Sequence, residues 1–198
     1  MVMSKILDKK FWQWVQGKDA TRARISIFEN VRDIPYAVVP ELISAEKYLD
    51  ILTLNRGSCT PKHFLLGNMF QRLGMLVLYA VYPFRWGDRA EVLDDYPSEL
   101  IKLAQEQPPS HHLACRVEIN GRLVLVDATL DSPLAKVNLP ANLHWDGFSD
   151  TVLAIEPRGE EELYHPSEAY LMQPRDYNEN MLEFYDHLNR CLEDARRL

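Results

Sequence analysis

Cysteine is scarce in this 198-residue chain: Cys59, Cys115 and Cys191 are the whole complement. An odd number at wide spacings argues against a disulfide framework and fits a reducing compartment, so a cytoplasmic protein is expected. Positive charge is in deficit too. Lys and Arg number 22 against 29 Asp and Glu, a formal net charge of −7, which argues against nucleic acid or an anionic membrane as partner. The stretch from Met1 to Gly17 is polar and lacks the apolar core of a signal peptide. The longest apolar run, Met75 to Phe84, is far too short to cross a bilayer and reads as a buried strand. Internal repeats, low-complexity segments and cofactor-binding motifs are missing as well, so no cofactor and no resident metal are expected. What is present is ordinary for a globular chain: 46% hydrophobic and 26% charged residues, enough for one domain over 1–198 with a substantial core.

The periodicities predict helices first. A short amphipathic helix from Asp8 to Gln16 carries Phe11, Trp12 and Val15, and these aromatics with Trp14 read as packing residues. Thr21 caps a second helix with Ile25, Ile27, Phe28 and Val31 on its buried side, ended by Pro35. Ser44 caps a third, with Ala45, Tyr48, Leu49 and Leu52 at helical spacing. Gly57 interrupts the pattern. A new helix starts near Thr60, accepts Pro61 in its first turn, and buries Leu65, Leu66, Met69, Phe70 and Leu73 before closing at Gly74. A strand follows over Leu76–Tyr82, then a polar, irregular stretch from Arg85 to Ser110 with one helix from Ser98 to Gln105. Strands at 113–119 and 122–127 flank Asn120-Gly121, a signal for a two-residue type I′ hairpin. Thr151 to Ile155 reads as another strand, and the tail from Asn178 as a helix with Leu182, Tyr185, Leu188 and Leu192 on one face. Hairpin-linked strands after a run of helices predict an α+β fold, with a core over about 25–156 and a helical extension over about 175–198.

The hairpin also does chemical arithmetic. A two-residue turn pairs Ile119 with Arg122, Val117 with Val124, Cys115 with Val126 and Ala114 with Asp127. Alternate side chains share a face, so His112, Ala114, Arg116 and Glu118 lie with Leu123, Leu125 and Asp127. His112 is then diagonal to Asp127, within reach of a polar contact, while His111 faces the other way. Leu113, Cys115, Val117, Ile119, Val124 and Val126 form a packing face.

Cys59, in Arg56-Gly57-Ser58-Cys59-Thr60-Pro61, stands at a helix start. A helix N-terminus and a nearby imidazolium both favour the thiolate, which is the nucleophilic form. Asp127 would hold the imidazole of His112 in one tautomer, and the backbone N–H of Cys59 would donate to an oxyanion. Blander readings attach to the neighbours. Cys115 is a small buried hydrophobe, and Cys191 has no special place. Cys59, His63 and His112 could make an open zinc site, though no second close pair strengthens it. His63 reads instead as a partly buried neighbour of the site. Trp145, ahead of the Asp146-Gly147 turn, fills core or covers a cleft. Trp86 and Tyr36 fill core or line a substrate groove. Glu160, Glu161 and Glu162 read as a solvated run.

The stretch from about Phe28 to Thr129 resembles the transglutaminase-like superfamily, which has a papain-type cysteine-peptidase core. The carrying residues are Val31-Arg32-Asp33-Ile34-Pro35-Tyr36, the helix Ser44–Leu52, Gly57-Ser58-Cys59, the helix end Phe70–Gly74, His112, and Val124-Leu125-Val126-Asp127-Ala128-Thr129. The resemblance implies a Cys59–His112–Asp127 triad and acyl transfer or hydrolysis at a peptide, protein or small amide or acyl substrate. The crosslinking members carry Gln before the cysteine and Trp after it, where Ser58 and Thr60 stand here, and Ala114 replaces a frequent Trp. Protein crosslinking is therefore not implied. Arylamine N-acetyltransferases resemble the same core, but their Arg-Gly-x-x-Cys is one residue longer than Arg56-Gly57-Ser58-Cys59. A binding or scaffold domain with a vestigial triad is the alternative from outside enzymology.

Overall fold

The computed structural model describes residues 2–89, 97–172 and 176–198; within the irregular stretch and the tail, 90–96 and 173–175 lie outside the described residues. The chain is mixed α and β, with helices packed on a four-stranded antiparallel sheet. Helices α1 (Val2–Val15) and α2 (Ala20–Arg32) lead into a short α3 (Ile51–Leu54) and then α4 (Cys59–Arg72). Strand β1 (Val77–Phe84), helix α5 (Ser98–Gln105), the hairpin β2 (Ser110–Ile119) and β3 (Arg122–Val126), strand β4 (Glu162–Tyr164) and helix α6 (Glu179–Arg197) follow. The sheet order is β3-β2-β1-β4.

The hairpin register is the one the turn demands: Ile119 opposite Arg122, Val117 opposite Val124, Cys115 opposite Val126. Asn120 and Gly121 both have positive φ, 54° and 76°, as a type I′ turn requires. The two faces of the sheet then bury two separate cores. Leu113, Cys115, Val117, Val124 and Val126 pack with Val77 and Tyr79 against α1, α2 and α4. Ala114 and Leu125 pack with Ala80, Tyr82 and Phe84 against α5 and α6.

Helix α4 is the centre of the first core. Leu65, Leu66, Met69 and Phe70 are wholly buried. It ends as its sequence predicts: Gly74 has φ +78°, its N–H reaches the Gln71 carbonyl, and Met75 N–H reaches the Phe70 carbonyl, the double closure of a Schellman motif. At its start, Gly57 fits closely: a Cβ there would come within 2.7 Å of Ile51 Cδ1 and 3.1 Å of Pro61 Cγ, so the Ile51 tip would have to move.

Several expectations need correction. Asp19, not Thr21, caps α2 by accepting from Arg22 N–H. Trp12 is exposed, while Trp14 takes the packing position beside Phe11 and Val15. Ser44 does accept from Glu46 and Lys47 N–H, but a turn, a 3-10 turn at Tyr48–Asp50 and the four residues of α3 replace a continuous helix. Thr151–Ile155 is not a ladder strand. Side chains take over its pairing with β3: Leu125 N–H donates to Asp150 Oδ1 and Asp127 N–H to Thr151 Oγ1, leaving Thr151 N–H to Leu125 O as the backbone link. Leu182 is exposed; the buried stripe of α6 is Met181, Phe184, Tyr185, Leu188, Leu192 and Ala195. Glu162 forms part of β4, and Glu161 is not merely solvated: it accepts from Arg116 Nε at 3.0 Å and from the Tyr82 hydroxyl. Among the described residues, no helix is long and apolar enough to cross a membrane.

Candidate active site

Three elements converge at the N-terminus of α4. Cys59 is its first residue and is buried. The segment ahead of it is held by a parallel bridge between Tyr36 and Gly57, with Gly57 N–H to Pro35 O at 3.1 Å and Ala37 N–H to Gly57 O at 3.2 Å. The start of β2 brings His112, and the end of β3 brings Asp127. His112 Nε2 donates to Asp127 Oδ2 at 2.7 Å, with both side chains buried. That leaves Nδ1 of His112 for the thiol of Cys59, whose ionisation the imidazole favours. The N–H of Leu113 favours the ionised sulfur as well. The sequence-predicted trio is therefore together, and His111, exposed at the rim, is not part of it.

Asp127 is fixed by more than His112. Ala154 N–H donates to Oδ2 at 2.8 Å and Thr129 N–H to Oδ1 at 2.9 Å. Asn142 Nδ2 holds the Asp127 carbonyl at 2.9 Å. Burial alone would raise the Asp127 pKa, but the imidazolium and these donors hold it far below the carboxylate range. Burial alone would lower His112; the facing carboxylate, with a smaller influence of Cys59, instead pushes it up to about 10. Burial would raise the Cys59 thiol, and His112 and Leu113 N–H reverse that, lowering it below an ordinary cysteine. The shifts run in compatible directions: a lowered thiol, a raised imidazole and a lowered carboxyl.

Sequence reasoning missed the support beneath the trio. His63, one turn along α4, donates from Nδ1 to the Cys59 carbonyl at 2.8 Å and accepts Ala128 N–H on Nε2 at 2.9 Å. A nitrogen that accepts an N–H carries no proton, so His63 is neutral, consistent with burial lowering its pKa to about 4. Its 3.6 Å approach to Asp127 Oδ1 is accordingly not an ion pair. With both nitrogens engaged by backbone, His63 is not disposed to ligate zinc with Cys59 and His112; among the described residues no His, Cys, Asp and Glu group is arranged for a metal. Lys62, fully buried, donates to the carbonyls of Arg32, Ile34 and Thr129 at 2.6–2.8 Å. It ties α4 to α2 and to the residues after Asp127.

Cys59 and His112 open into a cleft of about 320 Å³. Its walls are largely apolar and aromatic, with Tyr36, Phe84, Trp86, Tyr177, Met181 and Tyr185 prominent. Trp86 and Tyr36 thus line the groove. Trp145 is core, tilted against Phe28 at 5.1 Å and Phe70 at 6.1 Å. Cys115 is buried, and Cys191 sits half-buried on α6. The chain matches no protein-family model, and no match was found among curated proteins or solved structures.

Proposed function

We propose that the protein is a thiol enzyme of papain and transglutaminase-like architecture that transfers or hydrolyses an acyl group. The observation that carries this reading is the buried His112–Asp127 bond at 2.7 Å beside a cleft that Cys59, the first residue of α4, and His112 both line. The thiolate of Cys59 attacks the carbonyl carbon of an amide or ester, forming a C–S bond and a tetrahedral oxyanion. The backbone N–H of Cys59, at the positive end of α4, is a donor for that oxyanion. As the C–N or C–O bond breaks, the imidazolium of His112 gives its Nδ1 proton to the leaving group, and a thioester remains on Cys59. Water or an amine then attacks the thioester. Neutral His112 takes the attacker's proton, and the C–S bond breaks to restore thiolate and imidazolium. Asp127 keeps Nε2 protonated throughout and so keeps Nδ1 pointed at sulfur.

Alkylation of Cys59 by iodoacetamide, followed across pH by mass spectrometry, tests the reading. The rate should follow an apparent pKa below the ordinary thiol value of about 8.5, and His112→Ala should raise that midpoint by at least about one unit. A wild-type profile centred near 8.5, or one unmoved by His112→Ala, would sink the assignment. With p-nitrophenyl acetate, one acetyl group should accumulate on Cys59 and none in Cys59→Ala.

A further inference from the structure

Among the described residues, four buried side-chain polar atoms lack a hydrogen-bond partner: Ser58 Oγ, Trp86 Nε1, Gln107 Oε1 and Thr129 Oγ1. Orphans of this kind are few in a folded protein and call for a reason. All four residues line the cleft of Cys59 and His112. The four atoms are themselves closed to solvent, so a ligand in the cleft reaches them by displacing the side chains that cover them.

The four fall into two groups. Ser58 precedes Cys59, and Thr129 N–H bonds to Asp127 Oδ1, so these two belong to the nucleophile's end. Trp86 and Gln107 flank the C-terminal turn of α5 instead. A Cβ on Gly87 would lie 2.9 Å from Gln105 Cα, and Gln107 N–H bonds to Ala104 O. Trp86 is wedged between Phe84 and Phe184, with centroids at 5.0 and 5.2 Å. The lining also includes the apolar side chains of Val81 and Met181.

At the α5 end the polarity of each orphan is fixed. An indole Nε1–H can only donate. Gln107 could in principle flip, but a chain of bonds prevents it. The Glu106 carboxylate accepts from Asn180 Nδ2 at 3.2 Å, which turns Asn180 Oδ1 toward Gln107. Gln107 Nε2 then donates to that oxygen at 2.6 Å and to Leu103 O at 3.0 Å. Its Oε1 is left as a pure acceptor. Among the described residues no Lys or Arg lines the cleft, and a carboxylate has no hydrogen to offer Gln107 Oε1.

We propose that Trp86 and Gln107 form a recognition subsite for an uncharged group bearing one acceptor and one donor, a carboxamide or its like, on a compact and otherwise apolar or aromatic ligand. Trp86 Nε1 donates to its carbonyl, and Gln107 Oε1 accepts its N–H. The aromatic walls take the rest, and a volume of about 320 Å³ accommodates a small molecule or a single side chain. This rests on the proposed thiol chemistry only for which end of the ligand reacts; binding at the α5 end does not need the thiol.

An isosteric set of probes tests the subsite on the wild-type protein: benzamide, acetophenone, which lacks the donor, α-methylstyrene, which lacks both groups, and benzoate, which carries a charge. Binding is read from tryptophan fluorescence and ligand-observed NMR. Benzamide should bind about tenfold more tightly than acetophenone, and α-methylstyrene and benzoate more weakly still, since each missing partner leaves a buried polar atom unpaired. Trp86→Phe, which keeps the ring packing, and Gln107→Met should each shrink the benzamide preference to within about twofold. Equal binding of benzamide and acetophenone by the wild type, or a tenfold preference surviving both substitutions, overturns the proposal. A failed alkylation profile at Cys59 combined with selective benzamide binding would strike the enzyme reading and leave the subsite standing; the reverse pattern would do the opposite.

Discussion

Lys62 and His63 follow Cys59 within one turn of α4, and both side chains are shut off from solvent. A lysine in that position has to be neutral or fully solvated by protein. Burial lowers its pKa to about 7 against the pull of Asp131, Asp127 and Asp33, and three carbonyls receive its donors. Replacement by methionine keeps the stem and removes those donors. At about 1 kcal/mol for each carbonyl left without a partner, Lys62→Met should lose roughly 2–4 kcal/mol in urea denaturation. A loss under about 1 kcal/mol would mean that the carbonyls find other donors. Neither residue's role was legible in the sequence. A lysine inside a helical apolar pattern reads as a surface residue, and its partners lie 28 to 67 residues away, where no periodicity points. His112 was legible, because Asn120-Gly121 fixes a register and the register separates it from His111. Asp127 was legible for the same reason, but its Ala154 and Thr129 donors were not.

Helix α6 shows what an element can do that its hydrophobic stripe does not announce. Asn189 pairs with both backbone groups of Val38, accepting Val38 N–H at 2.8 Å and donating to Val38 O at 2.9 Å, as a neighbouring strand would. Arg196 forks onto buried Asp131 at 2.7 and 2.8 Å and donates to Tyr36 O, while Asp131 accepts Tyr36 N–H. The segment that bridges to Gly57 and carries Tyr36 and Val38 into the cleft wall is thus held from α6. Arg196→Met leaves the Asp131 carboxylate buried with one backbone donor and should cost about 3 kcal/mol. Asn189→Leu should cost about 1–3 kcal/mol, because two buried backbone groups lose their partners. Both should raise hydrogen exchange at the amides of Tyr36 and Val38; unchanged protection there would show that the segment stands without α6. The stripe itself was readable at 3.6-residue spacing, and only Leu182 was misassigned to it. The helix expected from Ser44 broke up because Ser44 caps a turn and the residues after it pack by 3-10 geometry. Strand β4, three residues beside a run of glutamates, carries too little pattern to be seen. Thr151–Ile155 was read as a strand, yet side chains of Asp150 and Thr151 make the bonds that a ladder would.

At the scale of the whole molecule, the buried titrating groups set the pH range over which the fold is stable. Asp127 has a depressed pKa, so its contribution is present above the unfolded value of about 3.9 and is lost as pH falls toward the folded one. His112, raised to about 10, contributes fully below its unfolded value of about 6.5 and loses that contribution as pH rises through 10. Lys62, lowered to about 7, works the other way: between about 7 and 10.4 the unfolded chain holds the proton that the folded one gives up, so stability rises with pH there. The lowered thiol of Cys59 acts in the same sense as Lys62. The alkaline limb is therefore a difference between opposing groups, and substitution separates them. In a Cys59→Ala background, where Asp127 still holds His112 up, Lys62→Met should steepen the loss of stability between about pH 7 and 10. His112→Asn should remove that loss or turn it into a gain over the same interval. Asp127→Asn should flatten the acid limb below about pH 4. Denaturation midpoints measured from pH 3 to 10 on the four proteins decide the matter, and parallel curves for all of them would show that the buried charges at the head of α4 are not what sets the stability range.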